Sequence, residues 1–449
     1  QERSKTTAEK LSRLGGRILY ASIMTLFLLL YFQQFRNDYL ERLRTVVFVT
    51  CLYLIFPLIT YALVQHKLMN VLVIPYCILP IFVRIFLDSR TAFVTHMITL
   101  FTCAIALSNP FEFLVIQTFA GLTASYSLRQ LTQRSDLFTT VVLVIISTYA
   151  THFCLDLIDG LFFEGKTIEV WDYIYLGIAG ILSTISYLLI FAIERLFGFT
   201  SNVTLVELSN INNQILRRLS EEAPGTFQHT MQVANLAAEV ANHIGAKSQL
   251  VRTGALYHDI GKLENPVFFT ENQTGVNPHE GLSLEESAQI IIGHVRDGLR
   301  LAEKHKLPKV IMDFICTHHG KSMAKYFYIS YKNQFPDKEI DETLFTYPGP
   351  NPATTEQAIL MMADGVEAAS RSLPSYTEES ISALVDKIID GQIREGYFNQ
   401  CPITFLDIQA AKEVFKSKLK TIYHTRISYP ELKPAAEEAP KKKKRKLKF

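Results

Sequence analysis

The sequence predicts an all-α protein in two unlike halves: a bundle of seven membrane-crossing helices, then a soluble domain that is also helical. Two observations carry this. The 449 residues are 48% hydrophobic and 20% charged, yet nearly all the long apolar runs fall before residue 200. Beyond it, apolar residues recur at three- and four-residue steps, the period of a helix that buries one face. A third observation gives the second half its interest: histidines and aspartates gather in or beside those helices. The expected division is a head (1–16), a membrane domain (17–199), a connector helix (200–222), a catalytic-type domain (223–430) and a basic tail (431–449).

Seven apolar segments run from Arg17 to Phe35, Thr45 to Val64, Val71 to Leu87, Thr91 to Leu107, Phe111 to Ser127, Leu137 to Leu155 and Ile174 to Phe197. Each has about 17–24 residues, enough at ~1.5 Å per residue to cross a hydrocarbon core of ~30 Å. The third is interrupted by Pro75 and Pro80. Loops after the first, third and fifth segments carry Arg36, Arg42, Arg44, Arg90, Arg129 and Arg134, whereas those after the second, fourth and sixth carry only Lys67 and Lys166. Basic loops stay in the cytoplasm, so everything after Phe197 is expected inside. The basic head (Arg3, Lys5, Lys10, Arg13, Arg17) runs against that orientation, unless a large exported domain precedes Gln1 in a longer protein. Trp171 and Tyr173 suit an interfacial anchor. Arg84 and His96 are the intramembrane candidates for transport and sit near segment ends, with no charged pair among the spans. An anchor or sensor is expected, not a transporter. The six cysteines form no CxxC pair and suit reduced thiols.

The connector carries a stripe of Leu205, Leu208, Ile211, Ile215 and Leu219. Such a stripe makes either a homodimer seam or a face packed on the following domain. Next, Pro224-Gly225-Thr226 starts a helix to His243 with His229 in its first turns. Another ends at His258-Asp259, and a loop rich in Asn, Gly and Pro extends through Glu280. Ser283-Leu-Glu-Glu286 is a capping box for a helix that carries His294 to about His305. Pro308 opens one ending at His318-His319-Gly320, and a Tyr/Pro/Gly segment spans Tyr326–Pro352. Thr355–Leu373 holds Asp364 among Met361, Met362, Ala363 and Val366. A helix near Ser380–Ile393, an extended stretch Ile403–Leu406 and a helix Asp407–Ile422 finish the domain.

Imidazoles mixed with carboxylates are the ligand set of first-row divalent metals. His229, His258, Asp259, His294, His318, His319 and Asp364 form the candidate set, and a carboxylate beside a histidine can bridge two ions. Asp364 in its apolar company is costly without a cation. Adjacent histidines diverge by about 100° on a regular helix, but at a helix end before Gly320 both can turn inward. His243, His279, His305 and His424 are read as ordinary surface or satisfied residues.

The order His229…His258-Asp259…His294…His318-His319…Asp364 resembles the HD-domain phosphohydrolase superfamily in its dinuclear form. With seven spans ahead of it, the chain resembles the seven-transmembrane HD-domain receptors, the PgpH-type cyclic di-AMP phosphodiesterases. The resemblance implies a multi-pass protein of the bacterial cell membrane with its HD domain in the cytoplasm. It implies that His229, His258, Asp259 and Asp364 hold one ion. Asp259 would bridge to a second held by His294, His318 and His319, the ions being iron or manganese. Members carry a large extracellular domain ahead of the spans, so the chain starting at Gln1 is expected to be a fragment.

Two such ions permit hydrolysis of a phosphodiester without a protein nucleophile. Lys262, one turn past Asp259, is a candidate phosphate or leaving-oxygen contact; Arg371, two turns past Asp364, is a weaker one. Relatives acting on cyclic di-GMP carry Gly-Tyr-Pro after the histidine doublet, where this chain has Gly320-Lys-Ser-Met, so the expected substrate is cyclic di-AMP, opened to pApA. The aromatic insertion (Tyr326, Phe327, Tyr328, Tyr331, Phe335, Phe345, Tyr347) either stacks purines or forms a lid core. Rival readings are another nucleotide phosphohydrolase, a non-catalytic ligand-sensing HD receptor and a regulated transporter. The tail Glu437–Phe449 is expected to be disordered, with its basic run from Lys441 touching anionic lipid rather than a nucleic acid polymer.

Overall fold

The computed structural model describes residues 7–128, 134–160, 168–275 and 277–423. Expectations placed on residues 1–6, Arg129, Glu164, Lys166, His424 and the tail lie outside those residues. The described residues form nineteen α-helices, with isolated β-bridges and no strand among them. The expected extended stretch at Ile403–Leu406 is corrected: Thr404 caps a helix that already begins at Phe405, its hydroxyl accepting from the N–H of Asp407.

The first half comprises α1 (Thr7–Phe35), α2 (Asn37–Leu40), α3 (Leu43–His66), α4 (Ile78–Phe86), α5 (Ser89–Ala104), α6 (Pro110–Ser127), α7 (Arg134–Ile158), α8 (Val170–Leu182) and α9 (Ile185–Phe197). Three helices are long and apolar enough to cross a membrane, within Leu11–Phe35, Leu43–His66 and Asp136–Ile158. The pair α8–α9, bent by 41°, makes a fourth. Among the described residues, length and apolar composition thus mark up to four of the seven expected segments as spans. The third expected segment resolves into a turn at Val71–Val73 and the nine-residue α4, because Pro75 removes a backbone donor and biases the residue before it away from helix. The fourth, α5, is a polar interior helix: Thr91, Thr95, His96 and Thr99 are buried within the bundle. Thr99 donates to the carbonyl of Thr95 at 2.7 Å, and His96 Nε2 lies 2.9 Å from the carbonyl of Gln117. His96 is thus mid-helix and satisfied, not near an end.

Where the halves meet, Phe199 packs against Phe48, Phe86 and Phe197. The carboxylate of Glu194 accepts from the N–H of Ser201 at 2.6 Å and from the hydroxyl of Thr204 at 2.9 Å. The connector is two helices, α10 (Asn202–Leu208) and α11 (Gln214–Glu222), not one. Asn210 and Asn213 divide them, since their side-chain oxygens accept from the N–H groups of Asn212 and Ile215 in place of the helix ladder. Leu205, Ile215 and Leu219 are buried in the core of the second half, with Leu208 packed against it; only Ile211 of the stripe is exposed. The stripe packs on its own domain, the second of the two expected arrangements.

The second half continues with α12 (Pro224–Ile244), α13 (Ser248–Tyr257), α14 (Leu284–Lys304), α15 (Lys309–Thr317), α16 (Lys325–Gln334), α17 (Thr355–Ser370), α18 (Glu378–Arg394) and α19 (Phe405–Ile422). Helix α16 takes up the first part of the Tyr/Pro/Gly segment, starting one residue before it. One core unites α12, α13, α15, α17, α18 and α19, with Val233, Ala237, Leu256, Ile315, Leu360 and Phe415 at its centre. Gly261 sets the closest approach in it. A β-carbon there would stand 1.8 Å from the carbonyl oxygen of His294 and 2.5 Å from the amide of Gly298. Only glycine lets the turn after His258-Asp259 lie flat on α14.

Candidate metal centre

Local chain chemistry brings the seven expected ligands to one place. His229 lies in the second turn of α12; His258 and His318 cap the ends of α13 and α15, each with its partner residue following; His294 and Asp364 sit within α14 and α17. Gly320 (φ +54°) turns the chain after His319. Six of the seven are buried, and His319 is the open edge.

Three groups of ligand atoms lie within 4.8 Å of one another: His229, His258 and Asp364; His294, His318 and His319; and His258, Asp259 and His318. Asp259 stands between the first two. Its Oδ2 is 3.6 Å from His229 Nε2 and 3.4 Å from His258 Nε2, while Oδ1 is 3.3 Å from His294 Nε2 and 3.7 Å from His318 Nε2. Asp364 Oδ1 lies 2.9 Å from His229 Nε2.

The tautomers are fixed by the backbone. Nδ1 of His258, His294 and His318 each faces the carbonyl three residues earlier, at 2.6, 2.5 and 2.8 Å. An imidazole that donates from Nδ1 presents a lone pair at Nε2. The Nε2 atoms of His294 and His318 nonetheless face each other at 3.1 Å. Two lone pairs so placed repel unless a cation lies against them. His258 Nε2 and Asp259 Oδ1, both buried, have no hydrogen-bond partner among the described residues. Acceptors that converge without donors fit a pair of divalent cations.

Charge is arranged to match. Burial opposes ionisation of Asp259, but the ammonium of Lys262 and the ring of His258 hold its carboxyl well below the usual range. Burial likewise opposes Asp364, and His229 and His258 hold it well below as well. Burial keeps His318 and His319 neutral, the latter down to about 3, and lowers His294. His258 is the exception: burial works against its charge, yet Asp259 raises it to about 10. Neutral imidazoles thus line one side of Asp259 and carboxylate-paired ones the other.

Lys262 Nζ sits 2.8 Å from both Asp259 Oδ2 and Glu271 Oε1, so the ammonium expected at a phosphate is held beside the central carboxylate. Arg371 is not in the cluster. Its guanidinium forks onto Glu367 Oε1 at 2.9 and 2.7 Å. Glu367, fully buried, also bonds His229 Nδ1. Sequence reasoning passed over Glu367, although the argument applied to Asp364, a carboxylate in apolar helical company, covers it too. Glu271 gave no signal in its loop. Tyr347 packs against His319 with ring centroids 4.2 Å apart and the rings tilted by 33°, a role its place in an aromatic run did not single out.

Fold and ligand set together define a membrane-attached HD-domain protein. Residues 11–201 match the model of the 7TM receptor with intracellular HD hydrolase, and residues 226–369 match that of the HD domain. Together the two matches cover most of the chain, in the order membrane domain, then HD domain. It is 31% identical over 426 residues to the cyclic-di-AMP phosphodiesterase PgpH of Listeria monocytogenes, covering 93% of this chain and 59% of that protein. Its identity to PgpH of Bacillus subtilis is 42% over 239 residues, 53% of this chain and 33% of that one. The crystal structure of the Listeria PgpH HD domain in complex with cyclic-di-AMP is 42% identical, with a TM-score of 0.46 over 48% of this chain and 99% of that chain. The chain therefore spans about 59% of the Listeria relative's length and less of the Bacillus one.

Proposed function

We propose that this chain is the membrane-bound, catalytic part of a phosphodiesterase that hydrolyses cyclic di-AMP to pApA, with its HD domain on the cytoplasmic side of a seven-crossing bundle. The observation that carries the reading is Asp259, whose two oxygens face separate groups of ligands. His229, His258, Asp259 and Asp364 would hold one iron or manganese ion; Asp259, His294, His318 and His319 would hold the other. When bound, such a pair supplies Lewis-acid polarisation of the phosphodiester and acidifies a water to a nucleophile at neutral pH.

The chain's own groups do the rest. Lys262 keeps Asp259 ionised and adds positive charge where a leaving oxygen develops. Glu271 holds Lys262 on its other side. Glu367 fixes the ring of His229, as outer carboxylates do for metal-bound histidines. Tyr347 closes the edge at His319, and Tyr326 and Phe327 on α16 offer faces on which a purine can stack. The substrate follows from the PgpH relatives and from Gly320-Lys-Ser-Met standing where cyclic di-GMP enzymes have Gly-Tyr-Pro. Control through the membrane domain has a physical route: α10 bonds α13 through Thr253 Oγ1 to the carbonyl of Leu205 (3.1 Å) and Tyr257 Oη to that of Leu208 (2.8 Å), immediately before His258.

The test is turnover by the purified chain in detergent with Mn²⁺, offered cyclic di-AMP, cyclic di-GMP, (p)ppGpp and a nucleoside monophosphate, with products separated by chromatography. Cyclic di-AMP should give pApA, and Asp259→Ala should abolish turnover while the helical circular dichroism is kept. Turnover surviving in Asp259→Ala removes the dinuclear reading; a preference for cyclic di-GMP removes the substrate.

A further inference from the structure

The spans show no charged pair in the sequence, but the fold makes one. His152, in α7, is 2% exposed, and its Nδ1 stands 3.1 Å from Oε1 of Glu112, in the first turn of α6. Asp172, in the first turn of α8, completes a group whose ligand atoms all lie within 4.8 Å of one another. These residues are 40 and 20 positions apart in sequence and come from three helices. That spacing hid them.

We propose that Glu112, His152 and Asp172 form a divalent-cation site at the end of the membrane bundle remote from the HD domain. The placement follows from the bent pair: Asp172 opens α8 and Phe197 closes α9, twenty-five residues further on, or ~38 Å along helix at ~1.5 Å per residue. Nδ1 of His152 meets only the Glu112 carboxylate, and its Nε2 has no hydrogen-bond partner among the described residues, although the ring is buried beside two carboxylates. A buried imidazole with an unmet nitrogen is expensive inside a membrane domain, and such residues mark functional sites there.

The surroundings orient donors toward a common point. Asn70 Nδ2 donates to Asp172 Oδ1 at 2.7 Å, which turns that carboxylate and leaves its second oxygen for a ligand. The ring of Tyr173 lies 4.7 Å from that of His152, and its hydroxyl is held by Asp156 Oδ2 at 2.7 Å. Access exists as well: a cleft of about 420 Å³ is lined by Lys67, Asn70, Glu112 and Asp172. One imidazole and two carboxylates, half-open to a polar cleft, suit a first-row cation that keeps water in its remaining positions. An ion there would tie α6, α7 and α8 together at the head of the helix pair that ends at Glu194 and the connector.

The experiment is metal stoichiometry on the full chain in lipid nanodiscs, by equilibrium dialysis against Mn²⁺ and, separately, Zn²⁺. To remove the HD-domain ions, the same measurement is made on an Asp259→Ala/Asp364→Ala chain. One ion per chain should remain there, and adding Glu112→Gln or Asp172→Asn should weaken its binding at least tenfold. His152→Gln should do the same, with the two carboxylate variants covering the case in which it fails to fold. In the otherwise unaltered chain the same substitutions should lower the stoichiometry by one, whatever the HD domain binds. No residual ion in the HD-cleared chain, or a residual ion indifferent to Glu112→Gln and Asp172→Asn, overturns the site and leaves His152–Glu112 as an ion pair between α6 and α7.

Discussion

The buried carboxylate of Glu367 bonds Nδ1 of His229, while Asp364, one turn earlier on α17, lies 2.9 Å from the same ring's Nε2. One helix thus supplies both a candidate ligand and the group that aims another. Glu367→Gln keeps the shape and removes the charge. We expect about a 10–100-fold loss of Mn²⁺ affinity, the usual cost of an outer-shell change, with turnover recovering at saturating Mn²⁺. Mn²⁺ titration of activity and of bound metal checks this; unchanged affinity would leave Glu367 a packing residue only.

Arg371 reaches the same carboxylate from the other side. Half-exposed, it can shed only a modest pair, worth about 1 kcal/mol or less. Arg371→Ala should weaken Mn²⁺ less than Glu367→Gln does and leave the substrate KM within about twofold at saturating metal, since RT ln 2 is about 0.4 kcal/mol. A raised KM with unchanged Mn²⁺ affinity would restore the phosphate contact that the sequence suggested.

Much of the second half was legible because its signals are local. Caps at Ser283 and Thr354, prolines at 224 and 308 and the apolar stripes mark helices within a few residues, and the seven ligands stand out as polar groups in apolar company. What failed depends on distance or on backbone competition. Hydropathy alone cannot tell lipid-facing from interior helices, so the threonine-lined α5 looks like an ordinary span in the sequence. The periodicity of Leu205 to Leu219 continues straight through the asparagines that break the connector. Glu112, His152 and Asp172 carry no sequence link at all.

The facing nitrogens of His294 and His318 predict an unusual response to chelation. With both lone pairs present at 3.1 Å, removing metal should cost stability twice: binding energy is lost, and acceptor–acceptor repulsion is exposed. His318→Ala removes one of the two. Its thermal midpoint should fall less on adding EDTA than that of the unaltered chain, by differential scanning fluorimetry in detergent. An equal or larger fall would mean that the two rings are not opposed.

Gly261 carries a steric prediction. A methyl group there meets the His294 carbonyl oxygen and the Gly298 amide, both main-chain atoms that cannot rotate away. Gly261→Ala should push α14 off the turn, costing about 1–3 kcal/mol as overpacking does. Since α14 carries His294, Mn²⁺ affinity should fall together with the thermal midpoint. Gly245→Ala serves as a contrast: its added β-carbon has open space, and only the positive φ of 77° is strained. It should lower the midpoint without moving Mn²⁺ affinity. A Gly261→Ala chain with full Mn²⁺ affinity would show that the turn and α14 are not rigidly coupled.

The joint between the halves hangs on Glu194, which accepts from the amide of Ser201 and the hydroxyl of Thr204. These bonds anchor the first turn of α10 to the end of α9, and α10 in turn holds α13 next to His258. Glu194→Ala removes the acceptor from both, and losing hydrogen bonds to a charged group costs about 1.5–3 kcal/mol. Local opening of residues 198–209 should then rise roughly tenfold or more, at ~1.4 kcal/mol per decade, read as faster limited proteolysis and faster amide exchange in that segment. Bound Mn²⁺ should stay the same, because no ligand of the HD cluster moves. If opening is unchanged, the aromatic packing of Phe199 on Phe48 and Phe86 holds the joint alone, and any signal from the membrane domain must pass through those rings.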